Sequence, residues 1–238
     1  IAHLRLADDL IPLIPALDEE YFAIGSVAPD SGVPDKNWET FDPPPEILHF
    51  QASGTKLREC ADLTFYRQYL APLDRWEPSS KKFAFLLGYF FHLATDNMWN
   101  VKIALPTQRR FKAAFAADPE FIWEVKRDWY GLDFACVRRE RDSLFWRVFL
   151  AGEYQEDFLD FLPQEAIQQR LDYIKAFYQR TDEKLESWYI QRPDLYLTEE
   201  EMDRFVGEGV MELFEAYQYL SEAPDVAAIS SILDFGNE

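Results

Sequence analysis

Histidine is scarce in this sequence: His3, His49 and His92 are the only three in 238 residues, and none follows position 92. Cysteine is scarcer still. Cys60 and Cys136 are too few for a disulfide framework and lie in no CxxC motif, so they read as ordinary buried thiols of a cytoplasmic protein. Basic residues number 24 against 43 acidic ones, a net charge of −19 at pH 7. A chain so poor in Lys and Arg is badly suited to neutralising phosphates, so stable nucleic-acid binding is not expected. With 9 Gly and 14 Pro the composition is neither collagen-like nor linker-like. The longest apolar run, Phe83 to Ala94, is interrupted by His92 and falls short of the roughly 20 residues a membrane helix needs. There is no GxSxG, no glycine-rich phosphate loop and no His-Asp dipeptide. Serine-hydrolase, phosphate-loop and HD-type phosphohydrolase readings therefore lack their starting residues.

What is abundant is core material: 48% of the residues are hydrophobic and 16% aromatic. Apolar residues recur at helical spacing along most of the chain, with no sustained period-two alternation, no repeat and no interdomain linker. The expectation is a single all-α domain over 1–238, a helical bundle. Helices are predicted at 4–14, 55–70, 82–101, 107–117, 119–129, 135–150, 163–188 and 199–221, with breaks at Asp118-Pro119, Gly131, Gly152, Pro163 and Pro193-Asp194. A long loop from Gly25 to Gly54 carries five prolines, and a loop of that length in a compact domain is often functional. Lys82 to Val101 is apolar nearly all round, which places it at the centre of the bundle. Gly88 inside that helix costs about 1 kcal/mol relative to alanine, so it points to a close approach by another backbone or by the site. Residues 1–103 would bear the functional site and 104–238 would add further helices. From Asp194 to Glu238 there are 12 acids and one base, Arg204, which reads as a solvated face.

The chemistry lies in His92 and Asp96, four residues apart and so on one face of the central helix. Burying both without a partner would cost several kcal/mol, so something must compensate them: a hydrogen bond within the pair, or a shared cation. Asp30 and His49 in the long loop, and His3 at the head of the chain, would complete a mixed imidazole and carboxylate set of the kind zinc favours. The aromatics from Phe90 to Trp146 read mainly as core. The clusters Arg109-Arg110 and Arg138-Arg139 with Arg141 read as solvated helix faces.

Three stretches in order, GSVAPD at 25–30, ILHF with His49, and FLLGYFFHLATD at 85–96, resemble the zinc-dependent phospholipase C family, relatives of the single-strand-specific nucleases. The likeness covers about residues 1–100. It implies an all-α bundle of that type with a ligand-bearing loop after the first helix, built around zinc that activates water to cleave a phosphodiester. By that resemblance His92 and His49 are zinc ligands, Asp96 bridges two metals, His3 holds the second, and Asp30 is a ligand or the catalytic base. The family's third metal takes two more histidines and a glutamate further along, and this chain has no histidine there. Glu124, Asp128 and Asp133 read better as surface or capping residues than as substitutes. The expectation is thus a hydrolase holding one or two zinc ions, with iron or manganese as alternatives, acting on a small-molecule or lipid phosphoester. The competing reading is a non-catalytic helical scaffold or binding protein with a degenerate or structural metal site.

Overall fold

The computed structural model describes residues 1–37, 39–51, 59–190, 193, 195–222, 226 and 229–234. Its described residues are all-α apart from one two-residue antiparallel ladder, β1 (Val33–Pro34) with β2 (Phe41–Asp42), inside the long loop, and one isolated bridge. Among the described residues no helix is long and apolar enough to cross a membrane.

The chain opens with α1 (Ala2–Leu10), whose Leu4, Leu6, Ala7 and Leu10 are buried, and proline at position 12 turns it into one tight turn over Ile11–Leu13. Next comes α2 (Glu19–Gly25), begun by Asp18, whose side chain accepts from Tyr21 N. Then α3 (Pro45–Leu48) and α4 (Asp62–Phe65) lead to α5 (Lys81–Trp99), started by Ser80. Fifteen of its residues are buried, among them Phe83, Leu87, Phe90 and Leu93, and α1, α2, α4 and the last long helix all pack on it. This is the central element that its apolar circumference predicts. The remaining helices are α6 (Leu105–Arg110), α7 (Lys112–Ala117), α8 (Phe121–Arg139), α9 (Gln164–Tyr178), α10 (Glu183–Leu185) and α11 (Glu199–Ser221). A reciprocal Thr198 and Glu201 capping box starts α11, where three glutamates fill the positive first turn.

Several predicted boundaries are corrected. The helix expected from 55 begins only at Asp62, because Cys60 pairs with Gln51 in an isolated bridge; 55–58 lie outside the described residues, as does Gly54. Gly131 is no break: α8 runs through it, and its missing side chain admits the Tyr189 carbonyl, which would lie 2.4 Å from a Cβ there. The span 135–150 is two pieces, since α8 ends at Arg139 and a wide turn follows at Phe145–Phe149. The span 163–188 divides at Tyr178, because Asp182 caps α10 by accepting from Leu185 N. The long loop holds α3, β1, β2 and a tight turn at Ala28–Asp30 as well as irregular chain.

Candidate metal centre

Four elements deliver five side chains. His3 stands near the start of α1, Asp30 ends the Ala28–Asp30 turn, His49 follows α3, and His92 and Asp96 lie one turn apart on α5. All five meet. The ligand atoms of His3, His92 and Asp96 lie within 4.8 Å of one another, and so do those of Asp30, His49 and His92.

Backbone packing sets this convergence. A Cβ on Gly88 would fall 2.4 Å from the Phe22 carbonyl, and one on Gly25 2.1 Å from the Phe85 carbonyl, so α2 and α5 touch backbone to backbone. That contact carries the Ser26 carbonyl to His92, whose Nδ1 donates to it over 2.9 Å. His49 is held similarly. Its Nδ1 donates to the Pro45 carbonyl at 3.2 Å, while Tyr89, one turn before His92, donates its hydroxyl to the Leu48 carbonyl at 2.6 Å. Phe50, next in the chain, takes a left-handed φ of 52° and is anchored by edge-on contacts with Phe65, Tyr69 and Phe161. Asn97 clamps the other end of the segment by bonding the Cys60 backbone twice, each at 2.8 Å.

A carbonyl only accepts, so both Nδ1 atoms carry protons, and in the neutral rings both Nε2 atoms are bare acceptors. Yet they face other acceptors. His92 Nε2 lies 3.6 Å from Asp96 Oδ2, and His49 Nε2 lies 3.5 Å from the same oxygen and 3.6 Å from Asp30 Oδ1. His3 Nε2 is 3.4 Å from Asp96 Oδ1. Charged N–H···O bonds run about 2.7–2.9 Å, so these gaps are longer than well-formed charged hydrogen bonds. They match the edge of a tetrahedron with ligand bonds of about 2.1 Å, which is about 3.4 Å. Among the described residues His92 Nε2 and His3 Nδ1 are buried with no hydrogen-bond partner. The His3 ring stacks on His92 at 3.8 Å.

Electrostatics favour the ligand forms of three of these groups. Burial and the neighbouring His92 lower the His3 pKa, keeping that ring neutral. Burial works against ionised Asp96 and Asp30, but the histidines around Asp96, and His49 with Arg170 beside Asp30, outweigh it and hold both carboxyls below their ordinary range. His49 goes the other way: burial is overcome by Asp30 and Asp96, and its pKa rises. The cluster is closed on the His92 side, where the side chain is 1% exposed, and open at Asp30, which is 42% exposed.

The sequence does not signal Arg170, on α9, whose Nη2 bonds Asp30 Oδ2 at 3.2 Å. Nor does it signal Tyr89, which its pattern files with the core. The suggested substitutes do other work: Asp128 is buried and accepts from Leu195 N and Tyr196 N, Asp133 accepts from Tyr178, and Glu124 pairs with Arg127. In the second arginine cluster Arg138 pairs with Glu186 and Arg139 with Glu199. Both cysteines are buried and free. Compared with protein-family models, curated proteins and solved structures, the chain matches none.

Proposed function

We propose that the cluster is a divalent-metal centre for one or two ions, zinc foremost and iron or manganese as alternatives, and that the protein is a metal-dependent phosphoester hydrolase of the zinc-dependent phospholipase C type. The observation that carries this reading is the convergence of three imidazole Nε2 atoms on the carboxylate oxygens of Asp30 and Asp96 at 3.4–3.6 Å. A cation held between them would satisfy imidazole nitrogens and carboxylate oxygens at that spacing together.

Asp96 suits a bridge, since Oδ1 faces His3 while Oδ2 faces His49 and His92. When bound, such an ion supplies Lewis acidity and lowers the pKa of water it coordinates to about 7. The Ser26 and Pro45 carbonyls fix the tautomers of His92 and His49 and so present Nε2 inward. Asp30 and Asp96 form the solvent side, through which a substrate enters. Asp30 has one oxygen turned to His49 and the other bonded to Arg170, which favours its ligand role over that of a free base. Asp30→Asn separates the two: a ligand's loss weakens metal affinity at least tenfold, whereas a base's loss leaves metal in place and lowers kcat.

A closed structural ion is the second reading, favoured by the lack of any histidine beyond His92 to extend the set. Elemental mass spectrometry on untagged protein, beside a His92→Ala, Asp96→Ala double variant, tests the centre. One or two equivalents in the parent and little in the variant are expected. Metal-dependent cleavage of phosphodiesters, phospholipids or phosphomonoesters then supports the hydrolase, and metal that raises only the melting temperature supports the structural ion. A parent that takes up no metal after incubation with zinc overturns both.

A further inference from the structure

Arg170 stands apart from the other arginines of this acidic chain. Arg5, Arg138 and Arg180, for example, pair with Asp203, Glu186 and Asp182, surface carboxylates with no part in the cluster. The carboxylate partner of Arg170 is Asp30, at the open edge of the metal centre, 140 residues away in sequence. Its mount is rigid: Ile167, Leu171 and Ile174 of α9 are buried, and the guanidinium lies over the Tyr173 ring, 5.5 Å from its centroid. A guanidinium has five N–H donors in a planar fork, and here one nitrogen, Nη2, is engaged while Nε is buried with no partner among the described residues. The side chain keeps 28% of its surface exposed, and Asp30 beside it keeps 42%.

Charge gives the same answer. With neutral imidazoles, the Asp30 and Asp96 carboxylates and the Arg170 guanidinium leave the cluster one unit negative, and a single divalent ion makes it positive. A positive pocket edged by an unsaturated planar fork selects tetrahedral oxyanions, whose paired oxygens a guanidinium matches. An uncharged acyl or amide group would offer that fork a single carbonyl oxygen and no opposite charge.

We propose that Arg170 is the specificity-determining residue of the centre, its spare N–H donors holding non-bridging oxygens of a substrate phosphoryl group beside the ion. This rests on the metal-centre reading above. It also accounts for how a chain whose three histidines are all spent in one cluster brings a further positive charge to that cluster.

The test is calorimetric titration of inorganic phosphate into zinc-loaded protein, with metal content measured on the same samples, for the parent, Arg170→Gln and Arg170→Lys. Arg170 is half-buried on a well-packed helix, and thermal melts check that the variants fold. Arg170→Gln is expected to keep its metal and to bind phosphate at least tenfold more weakly, with Arg170→Lys, which keeps charge but loses the fork, in between. Loss of metal in Arg170→Gln would overturn the assignment by showing that Arg170 merely positions Asp30. Phosphate affinity within twofold of the parent, metal retained, would overturn it as well. A parent that holds no zinc overturns the metal-centre reading and this inference with it, so the two failures are told apart by the metal assay.

Discussion

At His49 a proton and a metal ion compete for one atom. Asp30 and Asp96 raise its pKa above the ordinary 6.5 despite its burial, so in the metal-free protein Nε2 keeps its proton to higher pH. Metal binding must displace that proton. Zinc affinity is therefore expected to be flat above the raised pKa and to weaken about tenfold per pH unit below it. The metal-free fold has the opposite sign: a raised histidine pKa adds stability that is full below pH 6.5, the ordinary value, and fades as pH rises through the folded one. Chelator competition between about pH 5.5 and 8 reads the first effect, and an affinity indifferent to pH over that range would remove His49 from the ligand set. At this scale the cluster was legible in the sequence because three histidines are few enough to consider individually, and because His92 and Asp96 share a helix face. Arg170 was not legible, since its partner lies 140 residues away and its own helix reads as an ordinary amphipathic one. The Ser26 and Pro45 carbonyls leave no mark in a sequence at all.

Between elements, the contact that matters most is α2 against α5. Helix propensity alone predicts that Gly88→Ala stabilises α5 by about 1 kcal/mol. The structure reverses the sign, because the new methyl would meet the Phe22 carbonyl at 2.4 Å and Ser26 N at 2.9 Å, both backbone atoms that cannot rotate away. The helices must part, and a net loss of about 2 kcal/mol or more is expected in denaturant unfolding. Parting them also draws the Ser26 carbonyl from His92 Nδ1, so zinc affinity should fall in the same variant. A stabilised Gly88→Ala protein with unchanged affinity would show that the close approach is unimportant to the centre. The glycine and the apolar circumference of α5 announced this packing. The element it packs against was unannounced: α2 is a seven-residue helix between prolines and the long loop, too short for periodicity to register. The divided spans at 139 and 178 were hidden for a related reason. Apolar spacing continues across both turns, and the caps that end each helix are local hydrogen bonds that a hydrophobic pattern does not contain.

Across the whole molecule the centre joins α1, the Ala28–Asp30 turn, the segment after α3, and α5, with α9 reaching in through Arg170. Residues as far apart as His3 and Asp96 must come together before the ligand set exists, so metal that binds the folded chain and not the unfolded one stabilises the whole domain. At a free zinc concentration one hundred times Kd the gain is about 2.7 kcal/mol. For a domain of 238 residues each kcal/mol shifts Tm by about 2–4 °C, giving about 5–11 °C in all. Scanning calorimetry with zinc and with a chelator should show that rise in the parent. The His92→Ala, Asp96→Ala variant should show none, which separates the centre from adventitious binding along the acidic surface of a chain with net charge −19. Surface carboxylates would raise Tm equally in both proteins and would lose their effect as salt screens them. An equal, salt-sensitive rise would therefore count against a built site, while a rise confined to the parent and insensitive to salt would tie the fold of the whole chain to the cation that His3, Asp30, His49, His92 and Asp96 surround.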